Sequence, residues 1–222
     1  MLGGVGLKHG AIFDMDGTLL DTEKFYSQGW LIVADYFGLE RKADLPSTMS
    51  GTSWGVMPEI LHKFYPDIDA QAYIDKVVEY CESETKKNLE IMPGVYEILE
   101  YFKLQNVLMA VASSSNRNVI EEKLKRVNLL KYFDALIGGN EVQNGKPDPE
   151  IFLKAASALK IAPENCYVFE DSFNGVRAGN NSGALTIMIP DQVQPTEEIR
   201  NLCDGIYKSF KEVLEAIKRE EI

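Results

Sequence analysis

Histidine and cysteine are scarce in this chain of 222 residues, and each scarcity closes off a chemistry. The two histidines, His9 and His62, leave little material for a zinc site or a histidine-based hydrolytic triad, and both read as surface residues. The three cysteines, Cys81, Cys166 and Cys203, form no CxxC pair, and an odd count argues against a disulfide framework. Cys81 shares a helical apolar stripe with Ile74, Val77 and Val78 and is expected in a core. No apolar run approaches the roughly 18 residues of a membrane span. The opening MLGGVGLKHG lacks the apolar centre of a secretion signal, so a cytosolic protein without a membrane partner is expected. Basic residues are also short: 23 Lys and Arg against 34 Asp and Glu give a net charge of −11. That balance disfavours nucleic acid, whose backbone demands clustered cations, but leaves small anions open, because a local site can attract phosphate whatever the overall charge.

Against these absences stands the string AIFDMDGTLLDT at 11–22. Ala11, Ile12 and Phe13 read as the tail of a buried strand, and Gly17 with Thr18 as the tight turn that ends it. Asp14 and Asp16 then lie at one strand end, where an open α/β sheet has its ligand crevice. Two carboxylates that close repel each other unless a hard cation such as Mg²⁺ or a proton relieves them. Both arrangements suit phosphoryl transfer, one Asp attacking phosphorus and the other moving a proton. Two acids capping a helix would be the plainer explanation of the same spacing.

The chain divides by pattern. From about 22 to 90 helical periodicity runs without a convincing strand: Tyr26, Trp30, Val33 and Phe37 form one stripe, and Ile74, Val77, Val78 and Cys81 another. Pro46, Gly51 and Pro66 punctuate it. After the Met92, Pro93, Gly94 stretch, apolar runs at 107–112, 135–137, 166–169 and 184–189 alternate with helical patterns, the signature of a parallel sheet covered on both faces. The expectation is an α/β fold: a doubly wound, Rossmann-like core of 1–21 and 92–222, with an all-helical cap of 22–91 inserted after the first strand and hinged near 21–23 and 91–94.

Three further polar signals follow strand patterns. Ser113, Ser114, Ser115 and Asn116 open a helix and offer hydroxyls and amides to a phosphate, although helix capping would explain them too. Lys146 stands in GKPDPEIF just ahead of a helix, and Glu170 and Asp171 follow the 166–169 run. Taken in order, DMDGT, ASSS, the lysine of GKPDP and the EDS of FEDSFNGVRAG resemble the four motifs of the haloacid dehalogenase superfamily of phosphatases and phosphomutases. The likeness covers nearly the whole chain, and the inserted helices resemble the small cap of the group that includes beta-phosphoglucomutase and many sugar-phosphate phosphatases.

That resemblance implies roles. Asp14 would be the nucleophile and Asp16 the acid and base; Asp14, the main-chain carbonyl of Asp16 and Asp171 would hold Mg²⁺, with Glu170 in or near its shell. Thr18, Ser113, Ser114 and Lys146 would bind the phosphoryl group. In the cap, Tyr26, Trp30, Gly51 and Trp54 would touch substrate, although Tyr26 and Trp30 also lie on the apolar stripe. Thr18 stands where mutases of the group tend to have Val, Tyr26 where they have a cap histidine, and Trp54 where they have an arginine. These departures favour a phosphatase acting on a small phosphorylated metabolite, most plausibly a sugar phosphate, over beta-phosphoglucomutase-like transfer. A dehalogenase acting on carbon would not need Asp16 or magnesium, which disfavours that reading, and a silent binding protein should show a damaged motif. Assembly is expected to stop at a monomer or weak homodimer.

Overall fold

The computed structural model describes residues 6–49, 52 and 55–222, and its centre is the strand that precedes Asp14. This strand, β1 (Gly10–Phe13), is followed by four helices, α1 (Glu23–Tyr36), α2 (Leu45–Met49), α3 (Met57–Phe64) and α4 (Ala70–Lys87). The chain then alternates: α5 (Val95–Leu104), β2 (Leu108–Ser113), α6 (Arg117–Arg126), β3 (Ala135–Gly138), α7 (Glu150–Leu159), β4 (Cys166–Glu170), α8 (Phe173–Ser182), β5 (Leu185–Met188), α9 (Glu197–Leu202), β6 (Gly205–Ile206) and α10 (Phe210–Lys218). All sheet pairs are parallel, in the order β3-β2-β1-β4-β5-β6. The chain moves outward from β1 to one edge and then returns to build the other, so the topological switch, where ligands of such sheets bind, falls at the carboxyl end of β1. The four apolar runs are strands, and β6, at two residues, is too short for a sequence pattern to show.

Burial of the sheet on both faces follows from strand alternation. Ala11 and Phe13 point into one core with α5 and α10, where Phe13 stacks on Phe169 with ring centroids 4.8 Å apart. Ile12 points into the other core with Ala110, Ala112 and the apolar faces of α7 and α8. Phe13 is thereby clamped one residue before Asp14, and the Asp14 amide donates to the Phe169 carbonyl at 3.0 Å.

Helices α1 to α4 bury a hydrophobic cluster of their own, including Trp30, Val33, Leu61, Tyr73, Val77 and Cys81. Trp30 and Tyr73 lie parallel, and the Tyr73 hydroxyl donates to the Trp30 carbonyl at 2.6 Å. At the root of these helices the entering and leaving chains run side by side, Asp21 N bonding to Glu90 O and Met92 N to Leu19 O, both at 3.0 Å. Lys24 links the two by pairing with Asp21 and Glu90, each at 2.6 Å. His9 and His62 are exposed, as their isolation in the sequence implies.

Candidate active site

A cavity of about 110 Å³ opens between the strand ends and the four-helix block. Its floor comes from three adjacent strands: Asp14 just past β1, Ser113 at the end of β2 with Ser114 and Ser115 behind it, and Asp171 just past β4. Parallel register makes this convergence unavoidable. Phe13 lies level with Val111 and with Phe169, so whatever follows each strand faces the same crevice. Lys146 reaches in from the loop ahead of α7.

Lys146 is 6% exposed and its ammonium bridges Asp14 Oδ1 at 2.6 Å and Glu170 Oε1 at 2.5 Å, with the Ala112 carbonyl at 3.3 Å. Burial would lower its pKa, but the two carboxylates outweigh burial and raise it, so it stays charged. Asp14 is pushed up to about 7, chiefly by burial, with Lys146 opposing and Glu170 and Asp16 adding to the rise. Asp171 is raised well above the usual carboxylate value, by burial first and then by the charges of Glu170 and Asp14. Asp16 goes the other way. Burial would raise it, but the charge and hydrogen bond of Lys123 and the hydroxyls of Thr22 and Ser115 more than offset that, so it sits below its ordinary value.

The cap side of the cavity includes Tyr26, Trp30, Pro46, Met49 and Met57, with Glu23 near the floor. Gly51 and Trp54 lie outside the described residues. Two residues of the expected set stand apart from the cavity lining. Thr18 does not face the cavity: the turn made possible by the positive φ of Gly17 (84°) directs it inward, where it is fully buried and donates to Asp171 Oδ1 at 3.3 Å. The cavity lining leaves out Glu170 as well, which is 1% exposed. It accepts from Lys146, and its other oxygen accepts from the Asp171 and Ser172 amides at 3.1 and 3.0 Å and from the Ser172 hydroxyl at 2.9 Å.

The family model of haloacid dehalogenase-like hydrolases matches residues 11–189, spanning every motif above. The chain belongs to this family. Among sequence relatives, a phosphorylated carbohydrates phosphatase of Thermotoga maritima is 36% identical over 173 residues, covering 78% of this chain and 80% of that one. The fructose-1-phosphate phosphatase YqaB of Escherichia coli is 31% identical over 175 residues, covering 78% of this chain and 92% of the relative. The solved beta-phosphoglucomutase of Clostridium difficile superposes with a TM-score of 0.78 over 96% of this chain and 97% of that chain; at 23% identity it shows the shared fold. The α/β core with inserted helices is thus that of the dehalogenase-like hydrolases, and the chain is an enzyme.

Members of this family generally use Mg²⁺, and the donor set here fits it. Asp14 and Asp171 offer two buried carboxylates, both raised by burial, and the Asp14 charge adds to the rise in Asp171, a strain that a divalent cation would relieve. Gly17 keeps their surroundings open, since a Cβ there would lie 2.3 Å from Asp171 Oδ2. Among the described residues no three acidic, histidine or cysteine side chains converge to form a closed metal cage. An octahedral Mg²⁺ site completed by a carbonyl, water and substrate oxygens needs no such cage.

Raised carboxylates make a stability prediction. Asp14 at about 7 and Glu23 at about 8, the latter raised by burial and then by Asp16, Asp14 and Asp191, hold protons in the folded hydrolase that the unfolded chain has lost. Without a divalent cation, stability is therefore highest below about pH 4 as far as these groups decide it, and falls as pH rises through about 7 to 8. Melting temperatures with MgCl₂ and with EDTA are expected to differ more at about pH 8 than at about pH 6, because protons compete with the metal for the same oxygens.

Residues the sequence did not reveal complete the site of this hydrolase. Lys123 and Met57 had no motif around them, Glu23 stood only as part of the expected hinge, and a hydrophobic residue on the cavity wall looks like any other core residue. Gly175 is a further one. A Cβ there would come within 1.8 Å of Glu170 Cδ, so only glycine lets the first turn of α8 close over Glu170. Gly175→Ala is expected to cost about 1–3 kcal/mol in urea unfolding, and to lower activity because Glu170 can no longer hold Lys146 in place.

Proposed function

We propose that the enzyme is a Mg²⁺-dependent phosphatase that hydrolyses small sugar or polyol monophosphates through a phosphoaspartate on Asp14. The observation that carries this is the convergence of Asp14, Asp16, Lys146, Asp171 and the Ser113–Ser114 turn on one cavity. Asp14 attacks phosphorus while Asp16 gives a proton to the departing alcohol oxygen; Asp16 then takes a proton from the water that attacks the phosphoaspartate. Ser113 and the Ser114 amide donate to phosphoryl oxygens, and Lys146 offsets their charge and that of Asp14. Mg²⁺, held by Asp14, Asp171 and the Asp16 carbonyl, would supply further charge neutralisation.

Helices within 22–91 would act as a cap over the cavity, moving about 21–23 and 91–94, which their separate hydrophobic cluster supports. The three free thiols fit a cytosolic setting, and no helix among the described residues is long and apolar enough to cross a membrane.

Transfer to a second sugar hydroxyl, as in the structurally similar mutase, is the competing reading, and the cavity wall weighs against it. None of the described cap residues on that wall is a lysine or arginine that could pair with a second phosphate. Relatives named for phosphorylated carbohydrates and fructose 1-phosphate support a neutral hydroxylated remainder. Incubation with beta-glucose 1-phosphate and a bisphosphate primer separates the two. Inorganic phosphate in excess of glucose 6-phosphate is expected; glucose 6-phosphate as the main product would establish the mutase instead.

A further inference from the structure

Asp16 is gripped from two sides. Its Oδ1 accepts from Lys123 Nζ and from Thr22 Oγ1, both at 2.7 Å, and its Oδ2 accepts from Ser115 Oγ at 3.0 Å. Thr22 and Ser115 are close in sequence to the motifs already described. Lys123 is not: it lies on α6, 107 residues from Asp16.

The position of Lys123 follows from how α6 packs. Ile120 and Leu124 are fully buried and fix the rotation of the helix, and Lys123, one turn on from Ile120, shares their side. The lysine side chain is consequently only 11% exposed, against 15% for Asp16. Other cations at this end of α6 have different work: Lys125 pairs with the exposed Glu121, and Arg126 donates to the Thr85 and Lys86 carbonyls at the end of α4. Holding a long side chain under cover costs hydration and rotamer freedom, which a single strong partner must repay.

We infer that Lys123 is a positioning residue for Asp16, an inference that rests on the phosphatase reading above. Two donors on Oδ1 stop the carboxylate from rotating and leave Oδ2, whose one protein partner is a rotatable hydroxyl, as the oxygen that exchanges protons with substrate and water. In the first step the Asp14 oxygen bonds to phosphorus, the bond from phosphorus to the leaving oxygen breaks, and a proton that Asp16 has taken up, from the substrate monoanion or from the water of the preceding turnover, passes to that oxygen. In the second, water oxygen bonds to phosphorus, the bond to Asp14 breaks, and a water proton goes to Asp16. Lys123 touches neither substrate nor phosphorus and acts on both steps through Asp16.

Leaving groups tell this role apart from a structural one. An alkyl alcohol must be protonated as it leaves, whereas p-nitrophenolate departs as a stable anion, and kcat/KM reports only the steps up to phosphoenzyme formation. Lys123→Met is expected to lower kcat/KM about 10- to 100-fold for the best sugar phosphate and less than about threefold for p-nitrophenyl phosphate. Lys123→Arg is expected to recover most of the loss. In an Asp16→Asn background, Lys123→Met should change sugar-phosphate kcat/KM by less than about twofold, because the group it acts through is gone. An equal fall for both substrates, or no fall for the sugar phosphate, would overturn the inference while leaving the phosphatase reading intact. Turnover of neither substrate by the wild type would overturn that reading and this inference with it. Should Lys123→Met fail to give a cooperative melt, Lys123→Gln decides by the same contrast.

Discussion

Asp14→Asn is expected to lower phosphate release by at least about 10⁴-fold, since a neutral amide is no nucleophile towards phosphorus. The fold should survive unharmed. Asp14 is 7% exposed and its charge is opposed by burial, by Glu170 and by Asp16, which is why its pKa lies near 7. An amide has the same shape, can still accept from Lys146 and carries no charge to repel Asp171. Urea unfolding at about pH 8 is therefore expected to show the variant equal to or more stable than the wild type in EDTA. Acid quenching during turnover of a ³²P-labelled substrate should trap label on the wild type and none on the variant. Retained turnover in Asp14→Asn would remove the phosphoaspartate from the mechanism.

Lys146→Met combines two losses. Its ammonium is the charge between Asp14 and Glu170, at 2.6 and 2.5 Å, in a place nearly closed to solvent. Removing one partner of a buried ion pair costs about 3–5 kcal/mol, because the remaining charge is left without compensation. Here two carboxylates are left, and Asp14, already raised, can escape by binding a proton. The stability loss in urea should accordingly be larger at about pH 8 than at about pH 5, the lower pH allowing that proton to bind. Activity is expected to fall at least about 10²- to 10³-fold, the cost of removing a group that stabilises transition-state charge. A variant as stable as the wild type at both pH values would show that the bridge is dispensable to the fold.

Much of this site could be read from the chain because parallel strands impose a simple rule. Asp14, Ser113 and Asp171 each stand at or just after the end of an apolar run, and a parallel sheet brings such positions to one edge. Lys146 was legible through its motif. The structure then separates residues that the sequence treats alike. Thr18 and Ser113 both look like phosphate-binding hydroxyls, yet a left-handed glycine turns Thr18 into the interior, where it holds Asp171. Asp171 and Glu170 are neighbours, but strand alternation and the first turn of α8 send Glu170 towards Lys146. Lys123 gave no sign at all. It stands among Glu121, Glu122, Lys125 and Arg126 like any solvated helix residue, and only the packing of Ile120 and Leu124 reveals that it faces Asp16. The cap side resists reading for a different reason: Trp30, Met49 and Met57 serve its hydrophobic cluster and the cavity wall at once.

Inorganic phosphate release across hexose, pentose and polyol monophosphates, nucleotides and small phosphoacids, with MgCl₂ and with EDTA, tests the central claim most directly. Release that requires Mg²⁺, favours monophosphates of neutral sugars or polyols over bisphosphates, and disappears in Asp14→Asn is the expected result. Release that persists in EDTA or in Asp14→Asn, or no release from any of these compounds, would contradict it.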